Sequence, residues 1–334
     1  MKIAIMIQPS SSISFDNDTG TDEPYGPGLI AVNSVITSLA LIGNGLVITV
    51  MLARRRVFSS FTNRLILHQS VIDSIAAVLF FLHKVVKSPG LTVSDANTFL
   101  DQFVCRFLFP DILMWCVYVT STYNLVIISL ERFMATCYPL KHRKVISKGK
   151  LKFAVAATWV IGFVHGINLI NLFEPHQGKC QLVSKTSGLA LSQGMLNTLI
   201  RYTVPLIILI YAYTRILIRL HKKIVNPANI HQNFFRRAKE NVLKTVLVAG
   251  IMFAICWFPI EYVYFRAILG HVPSMLVYRG VTALVSCNAA VNPVIYCFMY
   301  EHFRSQLKDV FRKRLRRNQV QNGQPIRLGI LGAA

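Results

Sequence analysis

The sequence predicts an all-α membrane protein, a seven-transmembrane helix bundle with a short amphipathic eighth helix. Three observations carry that expectation. Of the 334 residues, 53% are hydrophobic and only 15% are charged, against about 25% charged in an ordinary soluble domain. Seven apolar stretches are long enough to cross a hydrocarbon core about 30 Å thick. Most of the 36 Lys and Arg residues fall in alternate connections and in the C-terminal tail, which is the positive-inside bias of a polytopic membrane protein. The same placement argues against nucleic acid as the partner behind the net charge of +22.

Residues 1–28 read as an extracellular N-terminal tail, polar and rich in Ser, Asp, Gly and Pro. Asn17-Asp18-Thr19 fits the N-glycosylation pattern. The apolar patch from Ile3 to Ile7 is too short for a secretory signal, so the first span is expected to serve as the insertion signal. The spans are expected at 29–53, 64–86, 104–137, 153–173, 195–221, 240–268 and 275–299, giving a bundle over 29–299. Arg54-Arg55-Arg56 opens one basic connection, and Lys141 to Lys152 and Arg215 to Lys244 hold two more. The segments near 88–103, 174–194 and 269–274 are poorer in positive charge. With an odd number of spans, that bias puts the N-terminus outside and the C-terminus in the cytoplasm of a plasma-membrane protein. After the last span, Phe303, Leu307, Val310 and Phe311 recur at helical spacing, with Arg304, Lys308, Arg312 and Lys313 on other faces. Residues 300–317 therefore read as an amphipathic helix on the inner leaflet, held by apolar burial and anionic lipid. Residues 318–334 follow as a cytoplasmic tail.

The seven cysteines form no CxxC pair and no zinc spacing. Most lie in apolar runs and behave as small hydrophobes. Cys105 and Cys180 fall in or beside outer connections, an oxidising location. Residues 112–130 carry no charge and end on Glu131-Arg132-Phe133. This pair is either a charged device at the membrane surface or only the point where a span leaves the lipid.

Other polar groups sit within the spans. A mid-membrane carboxylate costs roughly 2.5–3.5 kcal/mol on insertion scales, so Asp73 is expected to face the interior. Its candidate partners are Ser121, Asn124, Asn288 and Asn292. Two readings are open for it: an oxygen-lined site for a hard cation such as sodium, or a neutral, hydrogen-bonded Asp that joins helices. Arg201 and Glu261 lie in the outer halves of spans five and six. They pair with each other or a ligand, or snorkel to the headgroups. Pro205, Pro259 and Pro293 each remove a backbone bond and favour kinks.

Taken together, Gly43-Asn44, Asp73, Cys105, Glu131-Arg132-Phe133, Trp159, Cys180, Pro205 with Tyr213, Cys256-Trp257-Phe258-Pro259 and Asn292-Pro293-Val294-Ile295-Tyr296 followed by Phe303-Arg304 resemble the rhodopsin-like G protein-coupled receptors over residues 29–317. The resemblance implies that Arg132, beside Glu131, engages a heterotrimeric G protein, with Tyr213, Tyr296, Asn292 and Pro293 supporting activation and arrestin as a further partner. It implies a transmission switch of Trp257 and Phe253 with Pro259 and Pro205. It implies an allosteric sodium ion at Asp73, Ser121, Asn288 and Asn292, and a Cys105–Cys180 disulfide. Four departures stand out. Phe133 lacks the usual tyrosine hydroxyl. Cys105 lies 27 residues before Arg132, two more than the usual spacing, which suggests a bulge at the start of span three. Lys239, with Glu240 next to it, stands where many members carry an arginine-restraining acid. Ala289 replaces a usual sodium-site serine.

Ser286 stands where visual pigments carry the retinal lysine, and Met114 where amine receptors carry their aspartate. Asp111 lies one turn nearer the outside, which keeps an amine ligand open. His83, Lys84, Asp111, Arg201, Glu261, Tyr264 and Arg266 offer mixed charge at the pocket mouth, which suits a peptide and makes a neuropeptide receptor the expectation. The competing class is an ion channel or transporter, but no internal repeat supports it. No HExxH, GxSxG or GxxxxGK motif points to an enzyme.

Overall fold

The computed structural model describes residues 26–86, 94, 98–108, 111–145, 148–170, 173–176, 179–182, 187–225, 233–268, 271 and 273–321. Asn17 lies outside them. Among the described residues, seven helices are long and apolar enough to cross a membrane. The first span is α1 (Pro27–Ala53). The second is α2 (Phe61–Phe81), continued by a π-helical turn over Leu82–Val86. A short helix α3 (Phe99–Phe103) and a π turn over Val104–Leu108 lead into α4 (Ile112–Cys137), the third span. After α5 (Pro139–Val145) comes the fourth span, α6 (Lys148–Leu169). A hairpin of β1 (Phe173–His176) and β2 (Lys179–Leu182) pairs antiparallel, with Pro175 opposite Cys180. Helix α7 (Ser187–Thr198), a π turn over Leu199–Thr203 and α8 (Val204–Val225) build the fifth span. The sixth and seventh are α9 (Asn233–Ile268) and α10 (Met275–Met299), and α11 (Glu301–Gln321) follows.

The helices follow from what lipid denies the backbone: with no water to bond, each N–H and C=O in a span must be satisfied within it. Short polar residues start several of them. Ser60 accepts from the Asn63 amide at 3.3 Å to open α2, and Ser274 accepts from Val277 to open α10. Thr98 and Asp101 form a reciprocal capping box on α3. Pro27 sits in the first turn of α1, where its missing N–H has no partner to lose. Large apolar side chains such as Ile42, Phe153, Ile207 and Phe298 face outward, as lipid-facing positions require.

Helix α4 is the hub, packed against α2, α6, α8 and α9. Its approach to α6 depends on Gly162 and Gly166, one turn apart. A Cβ on Gly162 would collide with Thr120 Oγ1 and the Cys116 carbonyl, and one on Gly166 with Cys116 Sγ. This is the small-xxx-small contact that brings membrane helices close.

The structure departs from the expected bounds at the end of the fourth span, at the sixth span, which begins at Asn233 rather than 240, and at the end of α11. The fourth span ends at Leu169, and part of the stretch assigned to it forms β1. The hairpin was not foreseen in an all-α reading, because four-residue strands with Pro and His leave little periodic signal. Helix α11 reaches Gln321, beyond the expected end at 317. The two-residue excess before Arg132 is accommodated by the π turn over Val104–Leu108 and by Asp111, whose φ of 54° is left-handed. Aspartate is among the few side chains that tolerate that region.

Candidate functional site

Three polar centres lie along the bundle axis. At one end, the last turns of α4 present Glu131 and Arg132. Arg132 donates from Nε to Glu131 Oε2 at 2.6 Å and from Nη2 to Oε1 at 2.7 Å. The carboxylate is buried and holds two further donors. Thr62, in the first turn of α2, donates to Oε2 at 2.7 Å, and His142 Nε2 of α5 lies 2.8 Å from Oε1. Arg132 Nη2 also donates to Thr62 Oγ1. Phe133 packs edge-on to Tyr138 and against Tyr211, so its ring serves packing where a hydroxyl is absent. Tyr213 donates to the Val246 carbonyl at 2.6 Å and lies 2.8 Å from Ser129 Oγ, tying α8 to α9 and α4. Tyr296 is buried. The side chains of Lys239 and Glu240 lie outside those described.

The middle centre is Asp73 of α2. Its Oδ1 accepts from Ser121 at 2.8 Å and from Gln69 Nε2 at 3.0 Å, and its Oδ2 accepts from Asn292 Nδ2 at 2.8 Å. Asn124 reaches it only through Gln69, donating to Gln69 Oε1 at 2.7 Å. Asn288 lines the small cavity beside the carboxylate with Ala76, Tyr118, Trp257 and Ala289 and is not hydrogen-bonded to it. Above this sits an aromatic layer: Phe253 and Trp257 have centroids 5.8 Å apart, and Trp257 contacts Trp115 and Tyr118. Tyr118 donates to Ser286 at 2.6 Å, which in turn donates to the Thr282 carbonyl. Pro259 and Pro293 lie within α9 and α10. Pro205 follows the π turn of the fifth span. A π turn aims the Ile200 carbonyl at residue 205, which has no N–H to offer. Tyr123 supplies the donor instead, at 2.9 Å.

The third centre lies at the end marked by the Cys105–Cys180 disulfide, which ties the hairpin to the π turn before α4. Arg201 donates from Nε to Glu261 Oε1 at 2.6 Å, with both side chains 5% exposed. The guanidinium stacks over Trp115 and Tyr264 at 5.1 and 5.2 Å and lies near Trp257. Arg201 Nη2, Glu261 Oε2 and Trp257 Nε1 are buried and have no hydrogen-bond partner among the described residues. Of the two readings open for this pair, the structure places it inside the bundle. Asp111 pairs with His83 at 2.7 Å and with Lys84. Met114 is fully buried in the core between these groups.

Sequence reasoning missed Gln69, Thr62 and His142. Gln69 carried a signal, because it lies four residues before Asp73 and so shares its helical face. Thr62 carried none, since Glu131 is 69 residues away, and His142, though only 11 residues on, sits on a separate helix whose packing against α4 no residue pattern records.

Comparison with known proteins agrees with this layout. The family profile of the 7 transmembrane receptor (rhodopsin family) matches residues 43–296. The allatostatin-A receptor of Bombyx mori is 28% identical over 293 residues, covering 81% of this chain and 76% of that protein. Galanin receptor 2b of Danio rerio is 26% identical over 289 residues, 84% of this chain and 74% of that one. Galanin receptor type 1 of Homo sapiens is 26% identical over 305 residues, 86% and 83% respectively. With seven spans, the disulfide and the Arg132 cluster in place, the chain belongs to the rhodopsin family of seven-transmembrane receptors.

Proposed function

We propose that this receptor binds an extracellular peptide at its disulfide end and activates a heterotrimeric G protein at its Arg132 end. The observation that carries the ligand class is the charge at the disulfide end. Arg201 and Glu261 are buried as a pair with one unsatisfied donor and one unsatisfied acceptor, and Asp111 is already balanced by His83 and Lys84. A peptide offers amides and charged groups of both signs to such a surface. A simple amine would need a free carboxylate, and Asp111 is not one. The relatives named above are receptors for allatostatin-A and galanin, which supports the same class.

The basic connections put the Arg132 end in the cytoplasm and the N-terminus outside. Arrestin and the anionic leaflet under α11 are further partners in this reading. Activation separates α2, α4 and α5 at the Arg132 cluster, freeing the guanidinium for the G protein. A ligand drives this only through its preference for the open arrangement.

The test is a library of peptides and amines applied to cells carrying the receptor and a panel of G protein sensors. Peptide-evoked nucleotide exchange supports the reading, and a response confined to amines overturns it.

A further inference from the structure

The family implies a sodium ion at Asp73. The donors around that carboxylate do not suit one. A hard cation needs oxygen lone pairs turned towards it. Here the Gln69 amide nitrogen lies 3.0 Å from Asp73 Oδ1 and 2.5 Å from Ser121 Oγ, so its NH₂ group faces two of the oxygens that would ligate the ion. Ser121 directs its own hydrogen to Asp73, and Asn292 occupies Oδ2. Ala289 adds a methyl group. The remaining cavity is about 10 Å³, room for one water at most.

The amide orientation is determined by its surroundings. The Leu65 carbonyl only accepts, so Asn124 turns its NH₂ towards it, at 3.1 Å. The second hydrogen of that NH₂ goes to Gln69 Oε1 at 2.7 Å, which leaves the Gln69 NH₂ facing Asp73. On the far side, Trp159 Nε1 donates to His68 Nε2 at 3.1 Å. The His68 proton therefore sits on Nδ1 and donates to Asn124 Oδ1 at 2.9 Å. Each group in the relay from Trp159 to Asp73 donates in one direction. Reversing the Gln69 amide alone would set NH₂ against NH₂ at Asn124 and oxygen against oxygen at Asp73, and reversing Asn124 with it would set the Asn124 oxygen against the Leu65 carbonyl.

The geometry points to Gln69 as a built-in substitute for the ion: its amide closes the Asp73 centre, and the receptor binds no sodium there. This goes beyond the ligand assignment and does not depend on it.

The experiment uses the purified full-length receptor in lipid nanodiscs, melted in sodium chloride and in choline chloride at equal ionic strength. The wild type should melt at the same temperature in both. Gln69→Met, which keeps the volume and removes the amide, should gain a sodium-dependent rise, with Gln69→Leu as the substitute if that variant fails to fold. A sodium-dependent rise in the wild type that Asp73→Asn abolishes would overturn the proposal. So would a Gln69 variant as indifferent to sodium as the wild type, since the amide would then not be what excludes the ion. A wild-type rise that persists in Asp73→Asn arises elsewhere and leaves the centre closed, as proposed.

Discussion

Glu131 has four donor contacts from three elements: Arg132 twice, Thr62 and His142. The restraint on Arg132 therefore comes from the α2 and α5 side. Arg132→Ala should strongly impair agonist-driven nucleotide exchange on a G protein, and unchanged exchange would remove its assigned role. His142→Ala or Thr62→Ala should act in the opposite sense. His142→Ala loses one hydrogen bond from the closed arrangement and Thr62→Ala loses two, each of about 1 kcal/mol, so basal exchange should rise roughly five-fold for the first and more for the second; a fall would show that these residues support the open state. The Arg201–Glu261 pair invites a double-mutant cycle. Removing one partner strands a buried charge and destabilises by about 3–5 kcal/mol, whereas replacing both by apolar residues is often near neutral. Arg201→Leu with Glu261→Leu should therefore melt higher than either single variant. A double variant less stable than both would show that each residue stabilises the fold independently of the other.

Helices meet here through small residues and through side chains that replace missing backbone bonds. Gly162 and Gly166 let α6 lie against α4 at Thr120 and Cys116. Gly166→Leu should force the two apart, with overpacking of about 1–3 kcal/mol or more, read as a lower melting temperature and weaker surface expression. Wild-type melting would mean that α6 can shift freely. In the fifth span the proline is compensated from α4, by Tyr123 on the Ile200 carbonyl. Gly43 plays a similar part where α1 meets Pro293 of α10.

Across the bundle, polar centres alternate with apolar layers from the disulfide to Arg132, and α4 touches each one. Trp115, Tyr118 and Trp257 pack from the Arg201 centre down to the cavity beside Asp73, and Ser129 with Tyr213 ties α4 to α8 nearer Arg132. The disulfide ties the hairpin to the π turn before α4 at the Arg201 end of the bundle. Cys105→Ser should lower peptide affinity while leaving basal exchange intact, and undiminished affinity would free the hairpin from any part in binding. The orientation is open to glycan and protease tagging of intact cells, which should find the two chain ends on opposite faces.

Read along the chain, the residues already yield the number of spans, the charge bias between their connections and Ser121 and Asn292 as neighbours of Asp73, but not Gln69, Thr62 or His142. Hydropathy and motif spacing are properties of neighbours along the chain, so they survive without coordinates. Who holds Glu131, which way the Gln69 amide points and whether Arg201 reaches Glu261 emerge from the folded bundle. Those choices depend on contacts between remote segments, such as Thr62 with Glu131 and Arg201 with Glu261, separated by 69 and 60 residues. A hydrogen bond is set by angles and distances of a few tenths of an ångström, which no pattern of residue types records. The β hairpin and the π turns belong with them. They are short departures from regular geometry, the hairpin joined to one π turn by the disulfide and another π turn standing just before Pro205, and none of them carries a periodic signal.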